Sequence, residues 1–163
     1  MKRLVASTVV GSPRDRVWEL YADVPGTVEW LPFVEEVLYV SGPAGLGQVY
    51  RERTRFMGVS DVSTWRVVEW DAPRRQIHRS RGKLMETDLV VELESAGERT
   101  RVRQEAVLRS SMPGMLGRLH EALYGVVAGS GLKQAVVAAK VRMEHGDIPG
   151  LSRRPGGGGG LGV

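Results

Sequence analysis

Cysteine is missing from the sequence, phenylalanine occurs twice and histidine three times. The missing cysteine excludes disulfides, thiol nucleophiles and cysteine-bound zinc or iron–sulfur centres. His78, His120 and His145 stand at no metal-ligand spacing such as HxxxH, so a metal would need carboxylates gathered from distant strands; neither metal nor cofactor is expected. Long apolar runs are missing too: nothing approaches the roughly 20 residues of a membrane span. The opening "MKRLVASTVVGSP" has two basic residues before an apolar stretch, but that stretch is short, contains Ser7 and Thr8, and suits a β-strand better than a secretory signal. A cytoplasmic protein is expected.

What is present is ordinary for a globular chain: 163 residues, 42% hydrophobic and 26% charged, enough for one domain with its own core. The net charge of +4 and pI near 9.8 raise the question of nucleic acid. The basic residues alternate along strands and mix with acids instead of forming a block, so no specific nucleic-acid partner is expected.

Residues 3 to 11 read as a strand closed by Gly11. Ser12-Pro13 then reads as a helix cap followed by proline at the first helical position, with Val17, Trp18, Leu20 and Tyr21 as an apolar stripe and Pro25-Gly26 as the stop. A short helix or turn through "TVEW" precedes a strand from Phe33 to Val40, and "SGPAGLG" is a loop. In "LMETDLVVELESAGERTRVRQEAVLRS" a turn at Ala96-Gly97 places Glu94 opposite Arg99, Glu92 opposite Arg101, Leu89 opposite Gln104 and Met85 opposite Leu108. One face is then almost wholly apolar and the other pairs opposite charges. In "GQVYRERTRFMG" the row Arg51, Arg53, Arg55 belongs to solvent, which turns Tyr50, Glu52, Thr54 and Phe56 inward. An even-length turn near Gly58 adds Ser63, Trp65 and Val67 to them, whereas an odd one adds Thr64, Arg66, Val68 and Trp70 and sets Arg66 near Glu52. The facing of the strand carrying His78 and Arg79 is open.

After these strands, "SMPGMLGRLHEALYGVVAGSGLKQAVVAAKVRME" reads as one long helix with Ser111 as a possible cap and Met115, Leu116, Leu119, Leu123, Val126 and Val127 at helical spacing. Gly125, Gly129 and Gly131 are poor helix formers and mark a kink or a close approach to the backbone. The domain is expected over residues 1–145, and the glycine run of 146–163 reads as a flexible tail. A strand, two short helices, a meander of antiparallel strands and a long helix build a sheet whose apolar face only that helix can cover, with a gap between them suited to a ligand.

The stretches "SPRDRVWELYADVPGTVEWLPFVEEV" and "WRVVEWDAPRRQIHR", with the amphipathic final helix, resemble the START-like, pollen-allergen-like helix-grip (SRPBCC) superfamily over about residues 3 to 144. The closest likeness is to its bacterial polyketide cyclase/dehydrase and lipid-transport group. The resemblance implies an α+β helix-grip fold, a curved seven-stranded antiparallel sheet around the C-terminal helix with two short helices between strands 1 and 2. It also implies an internal cavity for a hydrophobic small molecule such as a lipid or polyketide. The alternatives are a polyketide cyclase/dehydratase-type enzyme and a quinone-binding, membrane- or ribosome-associated protein. Peripheral membrane contact and a monomer or homodimer all fit.

Within such a cavity Glu52 is the candidate acid or base, because an inward carboxylate among aromatics has a raised pKa; pairing with Arg66 is the competing reading. His78 is a second candidate base, set against an exposed histidine on an arginine-rich strand. Ligand-lining candidates are Trp30, Phe33, Tyr50, Thr54, Phe56, Trp65, Thr87, Leu89 and Gln104 from the sheet side, and Met115, Leu119 and Leu123 from the helix. Gln104 stands out as a polar side chain in an apolar row that needs a partner, either Thr87 or a ligand.

Overall fold

The computed structural model describes residues 1–146. A first strand β1 (Lys2–Val10) leads to helix α1 (Arg14–Ala22) and a 3-10 turn (Pro25–Glu29). Strands β2 (Val34–Val40), β3 (Val49–Phe56), β4 (Val59–Asp71), β5 (Arg75–Arg81), β6 (Met85–Ala96) and β7 (Arg99–Ser110) follow, and helix α2 (Gly114–His145) closes the chain. All strands pair antiparallel in the order β1-β7-β6-β5-β4-β3-β2. This is the expected seven-stranded helix-grip architecture, with α2 lying against β1 and β7. The expected tail lies outside the described residues except for Gly146, which ends α2 at φ 77°.

Proline at position 13 preorganises the start of α1, but it acts as the extended residue before the helix, so the cap does not fall on Ser12. Ser12 is buried instead, its carbonyl accepting the Thr100 hydroxyl at 2.8 Å and tying α1 to β7. In the same way α2 begins after Pro113, not at Ser111. One end of the core is aromatic. Trp18 of α1 meets Trp70 of β4 edge to face at 4.9 Å, and Tyr21 meets Trp30 at 5.3 Å.

The β6–β7 hairpin keeps the expected faces but shifts its pairs by two positions. Glu94 lies opposite Arg101, Leu89 opposite Ala106, Val91 opposite Gln104 and Met85 opposite Ser110. The turn is Gly97-Glu98, because Gly97 supplies the positive φ of 68° that the first position of a two-residue hairpin turn favours. Side-chain alternation has period 2, so a shift of two leaves every residue on its expected face.

The β3–β4 turn is even, pairing Phe56 with Val59, Glu52 with Ser63 and Tyr50 with Trp65. Trp70 nevertheless joins the inner side, because a bulge between Val67 and Glu69 resets the alternation of β4. Trp65, Val67 and Trp70 therefore all face inward. The same pairing sets His78 opposite Val67 and Leu89, which turns His78 inward and Arg79 outward.

Helix α2 reverses an expectation. Met115, Leu119 and Leu123 are 83%, 57% and 64% exposed, and they do not line the interior. The buried face carries small residues instead, among them Gly117, Gly125, Gly131, Ala135 and Ala139. A Cβ on Gly125 would come within 2.8 Å of the Lys2 side chain, and one on Gly131 within 3.1 Å of the Phe56 ring. Of the three glycines that read as helix weaknesses, Gly125 and Gly131 are points of close approach between helix and sheet, whereas a Cβ on Gly129 would meet nothing within 4 Å; the small-residue face wins the interior over the leucine face.

Candidate functional site

Between the curved sheet and α2 lies a cavity of about 870 Å³. Its floor comes from inward residues of β3 to β7, its closed end from α1 and the 3-10 turn, and its roof from Val127, Ala128, Gly131, Leu132 and Ala135 of α2. The exposed lining residues cluster at the β3–β4 hairpin tip (Met57, Val59, Asp61), in the β5–β6 loop (Arg81 to Leu84) and at Tyr124 of α2, with His120 half-buried beside it, which marks the mouth at that end. Every expected lining residue of the sheet side is in this wall: Trp30, Phe33, Tyr50, Thr54, Phe56, Trp65, Thr87, Leu89 and Gln104, together with Glu52 and His78. Phe33 and Phe56 stack at 4.8 Å and form one apolar corner.

The polar groups concentrate on β3 to β5. The Tyr50 hydroxyl lies 2.7 Å from His78 Nδ1, and His78 Nε2 lies 2.7 Å from Gln76 Oε1. A carbonyl oxygen only accepts, so His78 carries its proton on Nε2 and its Nδ1 accepts from Tyr50. His78 is 5% exposed, and burial lowers its pKa to about 4, keeping the ring neutral. This corrects the reading of an exposed histidine, and it also removes His78 as a free base: both nitrogens are committed to protein partners. Burial raises the Tyr50 hydroxyl well above its ordinary value, and the nearby Glu52 charge adds to this.

Glu52 projects from β3 into the cavity opposite Ser63 and makes no ion pair with Arg66, which lies on the outer face. Burial pushes its carboxyl from 4.5 to about 7, offset in part by the neighbouring Trp65 indole, whose N–H falls short of a well-formed hydrogen bond. Three buried donors of the wall, Trp30 Nε1, Trp65 Nε1 and Gln76 Nε2, have no hydrogen-bond partner among the described residues. Gln104 has one, though not the expected Thr87: its Nε2 donates to the Tyr21 hydroxyl at 2.5 Å. Tyr21 and Gln76 are wall residues that the sequence did not single out. Tyr21 is indistinguishable from the other apolar residues of α1, and the facing of Gln76 depends on the β4 bulge. Among the described residues no three His, Asp or Glu side chains come together as metal ligands.

An antiparallel sheet gripping one long helix over a largely apolar chamber defines the helix-grip fold. Residues 1–144 match the family described as "Polyketide cyclase / dehydrase and lipid transport", and the chain belongs to that family. No curated protein matches it in sequence. Solved structures share the fold at low identity. TTHA0849 from Thermus thermophilus is 22% identical with a TM-score of 0.73, covering 87% of this chain and 97% of that one. The Zhui aromatase/cyclase from Streptomyces sp. R1128 is 19% identical with a TM-score of 0.69, covering 90% and 99%. A START superfamily protein from Mycobacterium smegmatis is 13% identical with a TM-score of 0.70, covering 87% and 97%.

Proposed function

We propose that this protein binds a hydrophobic small molecule between sheet and helix. The observation that carries this reading is the cavity itself, whose volume of about 870 Å³ lies within the range of small-molecule sites and whose roof and corners are apolar. Trp30 Nε1, Trp65 Nε1 and Gln76 Nε2 give such a ligand three donors to meet with its oxygens. Native mass spectrometry of the protein purified from its own host tests the reading: a copurified apolar molecule is expected, and Ala128→Trp, which fills the roof, is expected to remove it. Protein that carries no such molecule, or an Ala128→Trp variant that retains it while folded by circular dichroism, overturns the reading.

A second reading, acid–base chemistry on the bound molecule, is favoured by Glu52. A carboxyl with a pKa of about 7 is populated in both forms near neutrality. Its ionised form can take a proton from a carbon beside a ligand carbonyl, and its protonated form can return one to a departing hydroxyl. Trp65 and Gln76 offer N–H donors for the carbonyl oxygen as charge develops on it. Glu52→Gln is expected to keep ligand affinity and lose turnover by about a hundredfold or more; a variant turning over as the parent does removes Glu52 from the chemistry.

A further inference from the structure

The inner face of the β3–β4 hairpin carries a group of acceptors that nothing in the chain satisfies. Glu52 and Thr54 on β3 lie opposite Ser63 and Asp61 on β4, and all four side chains line the cavity. Glu52 and Asp61 are therefore diagonal neighbours on one face of the sheet, with the Thr54 and Ser63 hydroxyls at the other two corners. Among the described residues neither hydroxyl has a hydrogen-bond partner and neither carboxylate has an ion pair; Asp61 Oδ1 accepts only the adjacent Val62 amide, at 2.9 Å. Asp61 is exposed at the mouth, where burial and then the Asp61 charge raise the pKa of the Tyr124 hydroxyl of α2. Glu52 lies two residues deeper along the hairpin and is half-buried.

The basic residues nearby are turned away or already engaged. Arg53 and Arg55, which alternate with Glu52 and Thr54 along β3, point outward to Glu36 and Glu35. Within the wall, His78 is held neutral between Tyr50 and Gln76, and His120 turns its Nδ1 to the Ser110 hydroxyl at 3.0 Å. Arg81 is 72% exposed and pairs with Glu86 at 2.8 Å, and Lys83 is exposed on the β5–β6 loop. The inner end of the site thus holds a carboxylate and two hydroxyls with no cation among them.

Four acceptors, two of them charged, select a group that brings several donors and a positive charge. A carboxylate or phosphate would meet two like charges, a ketone oxygen donates nothing, and a hydroxyl donates one proton while leaving the charge unpaired. A protonated amine brings three N–H donors together with the charge. Phe56 follows Thr54 on the same face of β3 and Trp65 follows Ser63 on β4, so aromatic rings that favour a cation flank the four acceptors. We propose that the cavity takes an apolar amine, its ammonium among Glu52, Thr54, Ser63 and Asp61 and its apolar body against Phe33, Leu89 and the roof of Val127 and Ala128, a placement that rests on the ligand reading above. Glu52 then forms an ion pair with the ligand, whereas acid–base chemistry would have it carry a proton. Glu52→Gln separates the two: ligand affinity falls in the first case and turnover alone in the second.

Isothermal titration calorimetry of the full chain at pH 7.5 tests this with three probes of similar shape: 2-(aminomethyl)naphthalene, 2-(hydroxymethyl)naphthalene and 2-naphthoate. The amine is expected to bind about tenfold or more tightly than the alcohol, with naphthoate the weakest of the three. Glu52→Gln is expected to bring amine and alcohol to within about threefold of each other, since the amide offers no charge to pair. Asp61→Asn is expected to weaken the amine by only about two- to threefold, because Asp61 is exposed and water screens it, and added salt is expected to shrink that difference. Circular dichroism verifies the fold of each variant, and the ranking of the probes on the parent protein needs no variant. An amine bound no more tightly than the alcohol, naphthoate bound most tightly, or a folded Glu52→Gln variant that keeps the parent's preference overturns the proposal. If the alcohol binds and the amine is not preferred, the amine assignment fails alone; if none of the three probes binds, the ligand reading fails with it.

Discussion

The two faces of the sheet treat the same functional group in opposite ways. On the outer face the Asp88 carboxylate is clamped by Arg79 at 2.6 and 2.9 Å and by Arg109 at 3.0 Å. Glu105 sits between Arg3 at 2.6 Å and Arg103 at 2.8 Å. Burial alone would raise both pKa values, yet the hydrogen bonds and charges of the arginines outweigh it and hold both below the carboxylate range. On the inner face Glu52 meets the same desolvation with no cation beside it, and its pKa climbs to about 7. Removing water does not by itself decide the charge of a carboxylate; the partner does. The outer face uses its carboxylates to hold strands together, while the inner face leaves one without a cation, so that it changes its protonation near neutrality.

Breaking the outer clamp is the largest expected effect. Asp88→Ala leaves two guanidinium groups facing each other over a buried position and is expected to cost about 2–3 kcal/mol, less than the roughly 3–5 kcal/mol of a fully buried pair because both arginines are partly exposed. Urea unfolding measures it, and a cost below about 1 kcal/mol would show that the clamp is ordinary surface charge.

Changing the inner carboxylate sharpens the comparison through pH. The folded state keeps a proton on Glu52 up to about 7, whereas the unfolded chain releases it near 4.5, so between those values the native state binds more protons and stability falls as pH rises. His78 acts in the opposite sense: its pKa of about 4 lies below the ordinary 6.5, so its contribution is present above 6.5 and is lost as pH falls toward 4. From pH 4.5 to 6.5 the two slopes oppose each other. Glu52→Gln removes one of them and is expected to be more stable than the parent at pH 8 by about 1–2 kcal/mol, discounted for water in the cavity. Its thermal midpoint is expected to rise through the window in which the parent's stays nearly level. Parallel curves for the two proteins would mean that Glu52 titrates as an ordinary exposed carboxylate.

Much of this was legible in the sequence because strand alternation is robust. The row Arg51, Arg53, Arg55 turns Glu52 and Tyr50 inward, and a two-position error in the β6–β7 register leaves Thr87, Leu89 and Gln104 on the correct face. What stays hidden depends on events with no local signature. A bulge at Val68 resets β4 and thereby the facing of Trp70, and the parity of β5 follows from pairing to it. In helix α2, hydrophobicity selects the leucine stripe, whereas packing distance selects the glycines. Gln104 does need a partner, as its apolar row implies, but Tyr21 reaches it from 83 residues away, a contact that only the tertiary fold creates.

The smallest expected effect comes from the same ion-pair chemistry placed where water reaches it. Glu94 and Arg101 lie directly opposite each other across the β6–β7 hairpin near its turn at 3.4 Å, both well exposed, whereas farther along the same two strands Arg109, opposite Glu86, reaches Asp88 diagonally at 3.0 Å. Water already solvates both groups, so each loses little when the other is removed, and the pair must also fix two long side chains to form. Glu94→Ala is therefore expected to change stability by less than about 0.5 kcal/mol, and adding salt is expected to erase even that. If urea unfolding gave Glu94→Ala a cost equal to that of Asp88→Ala, strand pairing and not desolvation would set the value of these carboxylates, and the contrast between the faces of the sheet would lose its physical basis.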